Sequence, residues 1–263
     1  MQHEEQMKVE IICLGVGSSG GTPALGCTCP TCTSTDLRNN RTRTSALVTV
    51  EDRLRFLIDT GPDLRQQILR TSIQRIDAVL YTHPHADHLH GIDDLRGFCS
   101  LQKAAIPVFG NDMMMSHIEK RFAYTLASPA LSWDKPVLTL HPLTQAPFTF
   151  QDIVITPIPI IHGKWPTLGY RVSNMVYITD VSFIPESSYA RLQGLDVLFL
   201  SCLRLAPHPT HFGVEDAIAA AQRIAAKKTV FIHMTHELEY HAFSKTLPEG
   251  IEVGYDGMVT LSS

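Results

Sequence analysis

The sequence predicts an α/β chain, on three observations. Short apolar, β-branched runs recur at 9–14, 46–50, 54–58, 76–80, 153–161, 175–178 and 230–232, each bounded by polar or turn residues. Segments of helical spacing lie among them, at 112–124 and at about 213–226. The 263 residues, 44% of them apolar, suffice for one large globular domain or two small ones.

The first strand, 9–14, runs into the glycine-rich stretch 15–23. That stretch lacks the Lys-Ser/Thr of a phosphate-binding loop and does not meet the dinucleotide fingerprint. It reads as a flexible loop whose backbone can approach a substrate. Cys27, Cys29 and Cys32 follow. Three thiolates within six residues can wrap one zinc but leave its fourth position to a distant residue. Cys13, Cys99 and Cys202 lie in or beside apolar runs and read as buried thiols. Residues 38–44 are polar and basic and read as a surface crossing. The runs 46–50 and 54–58 form a hairpin with Glu51, Asp52 and Arg53 at the turn. It ends in Asp59, and Pro62 opens a helix through Arg70.

The strand 76–80 leads directly into Tyr81-Thr82-His83-Pro84-His85-Ala86-Asp87-His88. His83 and His85 are two apart, so in an extended segment they face the same way. Asp87 and His88 come as the chain turns. Three imidazoles and a carboxylate then lie within a few ångströms of one another, a set suited to two ions of zinc, manganese or iron. Residues 90–96 enter a helix, where Arg96 is either a contact for an anionic substrate or a solvated surface arginine. Residues 106–109 form a short strand, Met113, Met114 and Met115 are packing residues, and the proline-punctuated 128–136 suits a lid. The run 153–161, interrupted by Pro157 and Pro159, reads as an edge strand ending at His162. The runs 175–178 and 230–232 end near Asp180 and at His233.

A strand followed by HxHxDH, with His, Asp and His at three later strand ends in that order, resembles the metallo-β-lactamase superfamily. The resemblance implies a single-domain, four-layer αββα sandwich with metals at one edge between two sheets. It implies that His83, His85 and His162 hold one ion, that Asp87, His88 and His233 hold the other, and that Asp180 bridges them. A water or hydroxide between the ions is then the nucleophile. It also implies that the glycine-rich first loop lines the pocket. Asp59 fits a supporting aspartate that orients a ligand imidazole; a turn or helix N-terminal aspartate is the other reading.

The cysteine cluster, His236 three residues after His233, and the stretch 203–211 before the helix at 213–226 narrow the resemblance. Together with the closing 254–258, they are similar to the phosphoribosyl 1,2-cyclic phosphate phosphodiesterase family of the carbon–phosphorus lyase pathway, from about 9 to 259. This implies a structural zinc on Cys27, Cys29, Cys32 and His236, and two catalytic ions. It implies that His211 binds the phosphate or protonates the leaving oxygen, with His208 as a nearby competitor, and that Asp87 and His211 carry the chemistry. The implied activity is hydrolysis of a small cyclic phosphodiester, of the phosphoribosyl cyclic phosphate or 2′,3′-cyclic nucleotide class, by a metal-bridging hydroxide. A thioester or acyl hydrolase of the same fold and a non-catalytic metal-dependent carrier are the alternatives. The tRNA-processing nucleases share the motif but carry a long tRNA-gripping insertion, for which no stretch is present here. The pyrroloquinoline-quinone biosynthesis protein of this fold departs from the full histidine set, which is intact here.

The net charge of −4 supplies no basic field for nucleic acid. No apolar run approaches the about 18 residues of a membrane span. Residues 1–7 are polar, unlike a signal peptide, and read as a short disordered lead to a domain over 8–263. A cytoplasmic protein with a small anionic phosphodiester as its partner follows, with no stable nucleic-acid complex. Apolar edges such as 153–161 are able to pair between subunits as a homodimer.

Overall fold

The computed structural model describes residues 7–126 and 135–262. The expected N-terminal lead lies outside them except for Met7, which packs on the core. The expected lid likewise lies outside them except for residues 135 and 136.

The first half runs β1 (Val9–Gly15), β2 (Ser45–Val50), β3 (Leu54–Ile58), α1 (Leu64–Leu69), β4 (Ala78–Leu80), α2 (Ala86–Leu89), α3 (Arg96–Gln102), β5 (Ile106–Gly110), α4 (Asp112–Arg121) and β6 (Leu138–Pro142). The second runs β7 (Phe148–Phe150), β8 (Ile153–His162), β9 (Trp165–Val172), β10 (Met175–Ile178), α5 (Glu186–Tyr189), β11 (Val197–Ser201), α6 (Val214–Ile224), β12 (Lys228–Ile232), α7 (Tyr240–Ser244), β13 (Ile251–Val253) and β14 (Val259–Ser262). The strands make two sheets, ordered β14-β1-β2-β3-β4-β5-β6 and β13-β12-β11-β10-β9-β8-β7. Each sheet starts antiparallel, at β14-β1-β2-β3 and at β7-β8-β9-β10. Each continues parallel, at β3-β4-β5-β6 and β10-β11-β12-β13. Hairpins join β2 to β3 and β7 through β10, whereas β1 reaches β2 by the long connection 16–44; the parallel halves need crossovers, and most of the helices are there.

Strand alternation builds the layers. Phe56, Ile58 and Leu80 join Ile158, Tyr170 and Tyr177 in one cluster between the sheets. Leu57, Val79 and Tyr81 point the other way and meet Leu64, Leu89, Leu95 and Met114 beneath the first set of helices. Ala217, Ala221 and Ile224 of α6 cover the second sheet. The four-layer single-domain sandwich is therefore as expected. Met114 and Met115 are packing residues, and Cys13, Cys99 and Cys202 are buried thiols.

Three expectations are corrected. The run 153–161 is not an edge strand: β8 lies between β7 and β9. Its prolines are tolerated because β7 covers only Ile153, Val154 and Ile155. Beyond that point the carbonyls of Pro157 and Pro159 accept from Arg191 Nη1 (2.7 Å) and Ser188 Oγ (2.6 Å) instead of from a strand. Residues 38–44 are not simply a surface crossing, since Arg41 is 1% exposed. No residue of the glycine-rich loop lines the cleft over His85 and His162, although the loop runs beside His233. Gly17 pairs with Arg43 and Met234, and a Cβ there would lie 2.6 Å from the Arg41 carbonyl oxygen. Its glycine is needed for close backbone packing rather than for approach to a ligand.

Candidate metal centre

Leu80 ends β4, and the chain stays extended through His85 before α2 makes a single turn. That turn swings Asp87 and His88 inward, next to the pair His83 and His85. His83 and His88 are fully buried, and Asp87 is nearly so. His162, Asp180 and His233 arrive from the ends of β8, β10 and β12. Asp180 and His233 hold left-handed backbone, with φ of 44° and 59°, as does Asp59 past β3 at 61°. Non-glycine residues rarely adopt this conformation, and such outliers gather at functional sites.

The seven side chains fall into two groups. His83, His85, His162 and Asp180 present donor atoms within 4.8 Å of one another, and so do Asp87, His88, Asp180 and His233. Asp180 belongs to both, and its two oxygens divide between them. Oδ1 lies 3.2 Å from His88 Nε2 and 3.0 Å from His233 Nε2. Oδ2 lies 3.7 Å from His83 Nε2 and 3.8 Å from His162 Nε2.

The outer contacts fix the tautomers. His88 Nδ1 donates to Asp59 Oδ2 at 2.7 Å. Thr82 Oγ1 donates to the same oxygen at 2.8 Å, so it accepts from His83 Nδ1 at 2.9 Å. His162 Nδ1 donates to the Thr210 carbonyl at 2.7 Å. In all three imidazoles the proton sits on Nδ1 and the lone pair of Nε2 points into the centre. His88 Nε2 and both ring nitrogens of His233 are buried with no hydrogen-bond partner. Charge points the same way. Burial works against charging His88, yet Asp180, Asp87 and Asp59 outweigh it and raise that imidazole well above its ordinary value; the positive charge they favour is the one a cation on Nε2 supplies in place of a second proton. Three buried carboxylates around unpartnered lone pairs call for cations, so the donor set fits two divalent ions.

His211 joins this centre. Its ring stacks on His233 with centroids 5.1 Å apart and 15° between planes, and its Nδ1 lies 3.8 Å from Asp180 Oδ2. A strap holds it there: Phe212 N donates to Val181 O at 2.6 Å, and Leu203 N to Phe212 O at 2.9 Å. Burial, reinforced by His233, pushes the His211 imidazole down to about 3, so it is neutral near pH 7. His208 lies one ring farther out, 5.1 Å from His211.

Over His85 and His162 opens a cleft of about 600 Å³ lined also by Gly163, Lys164, Trp165 and Thr210. Sequence reasoning missed Thr82, Thr210, Lys164 and Trp165. The signal available was the His-Gly turn after β8, since a reversal there must bring the next residues back over the ligand. Gly163 has φ 61°, and a Cβ on it would lie 2.7 Å from Thr210 Cγ2. Arg96 is not in the cleft; it stands beside a separate cavity of about 320 Å³ lined by Leu64, Ile68 and Phe98, 3.6 Å from Asp93.

A second donor cluster joins Cys27, Cys29, Cys32 and His236, again within 4.8 Å. His236 Nδ1 is 3.5 Å from Cys27 Sγ and 3.2 Å from Cys29 Sγ. The His236 contact draws the Cys29 thiol down to about 6, towards the thiolate a metal takes. Three sulfurs and one imidazole make a closed set of four donors, which suits a structural zinc.

A model of the β-lactamase superfamily domain matches residues 54–234. The crystal structure of a new diphosphatase from the PhnP family superposes with a TM-score of 0.90 at 35% identity, over 97% of this chain and 98% of that one. Zinc-bound PqqB from Methylobacterium extorquens superposes at 0.78 with 20% identity, over 95% and 99%, a likeness of fold. An octanoyltransferase of Porphyromonas gingivalis (strain ATCC BAA-308 / W83) is 37% identical over 250 residues, 94% of this chain and 50% of that protein. The chain thus spans about half the length of that curated relative. With the superfamily domain matched over most of the chain and a PhnP-family structure matched end to end, this chain belongs to the β-lactamase superfamily and is PhnP-like within it.

Proposed function

We propose that the chain is a dinuclear metal-dependent phosphodiesterase acting on a small cyclic phosphodiester. The observation that carries it is the division of the two Asp180 oxygens between two donor groups. His83, His85 and His162 would hold one ion, Asp87, His88 and His233 the other, with Asp180 shared. A pair of divalent ions so placed supplies an activated water and polarises the phosphoryl oxygen under attack. Manganese, zinc and iron all suit these donors.

The chain's own residues do the rest. Asp59 and Thr82 hold His88 and His83 in the tautomer that offers Nε2. The Thr210 carbonyl does the same for His162. His211, neutral and lacking a partner at Nδ1, would donate a hydrogen bond to a phosphoryl or leaving oxygen. That favours phosphate binding over full proton transfer in the resting enzyme. Cys27, Cys29, Cys32 and His236 would hold a structural zinc. Phosphorus as the reacting centre is supported by the similarity to a PhnP-family diphosphatase. The same similarity also supports a second reading, a linear diphosphate cut at its P–O–P bridge.

The test is hydrolysis by metal-loaded protein of a ribosyl 1,2-cyclic phosphate, 2′,3′-cyclic nucleotides, a linear diester and a diphosphate diester, followed by phosphorus NMR. A glutathione thioester is followed by thiol release. Selective opening of a cyclic diester supports the reading; cleavage of the diphosphate alone supports the second. Thioester cleavage alone discards both.

A further inference from the structure

The hairpin between β8 and β9 places Trp165 at the mouth of the centre. The Trp165 ring lies 4.8 Å from the His85 ring, tilted by 41°, and the residue stays 41% exposed. Exposure of so large an aromatic is a solvation cost, and Trp165 offers its free surface to the cleft over His85 and His162. Lys164 beside it adds a positive charge to the same wall. Tight backbone geometry fixes the hairpin: Trp165 pairs with His162 across the turn, and Gly163 packs on Thr210. An indole held rigidly one imidazole away from a phosphate-handling centre is a platform for a planar ring.

The geometry points to Trp165 as a specificity-determining residue that stacks the base of a nucleotide substrate. The substrate is then a nucleoside phosphodiester rather than a bare sugar phosphate. This deepens the phosphodiesterase reading and rests on it for the reacting bond. The base would lie on the exposed indole surface while the phosphate reaches the donor groups under His85 and His162. Base–aromatic stacking is tolerant of base identity, so purine and pyrimidine nucleotides should both be accepted, purines more tightly.

The test is calorimetric titration of metal-loaded protein with adenosine 5′-monophosphate and with ribose 5-phosphate, which has the anomeric hydroxyl in place of the base. The expected result is binding of the nucleotide roughly tenfold tighter or more. Trp165→Ala should remove most of that preference, weakening the nucleotide far more than ribose 5-phosphate; Trp165→Phe should restore much of it. Thermal melting checks that both variants fold. Equal affinity of the wild type for the two ligands, or an equal loss for both in Trp165→Ala, overturns the inference while leaving any phosphodiesterase activity standing. Trp165-dependent nucleotide preference in a protein that hydrolyses no phosphodiester keeps the platform and discards the reaction.

Discussion

His88 Nδ1 lies 2.7 Å from Asp59 Oδ2, and both side chains are fully buried. Asp59 also takes hydrogen bonds from Thr82 N and Thr82 Oγ1, both at 2.8 Å, the latter passing the effect on to His83. One carboxylate thus orients an imidazole in each donor group. Asp59→Ala should lower metal affinity about 10–100-fold, the usual cost of losing such an outer partner. It also strands buried donors, at about 1–3 kcal/mol each. Metal content after dialysis and a melting curve check this; full retention of both ions by the variant would count against the role.

Asp180 is shared, whereas His85 serves one group and is only half-buried. Asp180→Ala should therefore release both ions of this centre and abolish turnover. His85→Ala should weaken one ion and also abolish turnover, since the reaction needs the pair. Elemental analysis against activity separates the two variants. Turnover near the wild-type rate in either one removes the dinuclear mechanism.

Much of the centre was legible because each donor follows an apolar run, and a strand end is where a buried chain can turn a polar side chain into a cleft. His162, Asp180 and His233 were visible for that reason. Arg41 was not: in sequence it sits in a basic stretch, and only the fold reveals carbonyls around it. Thr82 and Thr210 were invisible because their role depends on which atom of a neighbouring imidazole they meet. Pro157 and Pro159 misled because proline marks a side of a strand without a partner, which an interior strand also has where its neighbour is short. The glycine loop misled because glycine serves close packing as readily as ligand approach.

His211 should show its neutrality in the pH dependence. Its imidazole is depressed to about 3 by burial and then by His233, against about 6.5 in the unfolded chain. A depressed value means the stability it contributes is present above pH 6.5. That stability is lost as pH falls towards 3, because the unfolded state takes up the proton first. Urea midpoints should therefore fall less steeply between pH 6.5 and 4 in His211→Gln than in the wild type. Loss of its hydrogen bond to the transition state should lower kcat about 100-fold or more. An unchanged pH slope of stability would show that His211 is charged in the folded protein.

Arg41 ties the second donor cluster to the rest of the fold. Its guanidinium donates to the carbonyls of Thr235 (3.0 Å) and Leu238, which flank His236. Burial pulls it down to about 10, so it stays charged at neutral pH. Arg41→Met keeps bulk but leaves these carbonyls without the donor, at about 1–3 kcal/mol each if water cannot replace it. The variant should melt lower and lose zinc from the cysteine cluster faster under chelator, with donors of the main centre untouched. Cys29→Ser should give the same zinc loss through the ligand itself. If Arg41→Met melts lower but holds zinc like the wild type, Arg41 supports the fold and not the cluster. If the cluster empties in both variants while turnover per folded molecule persists, its zinc is structural.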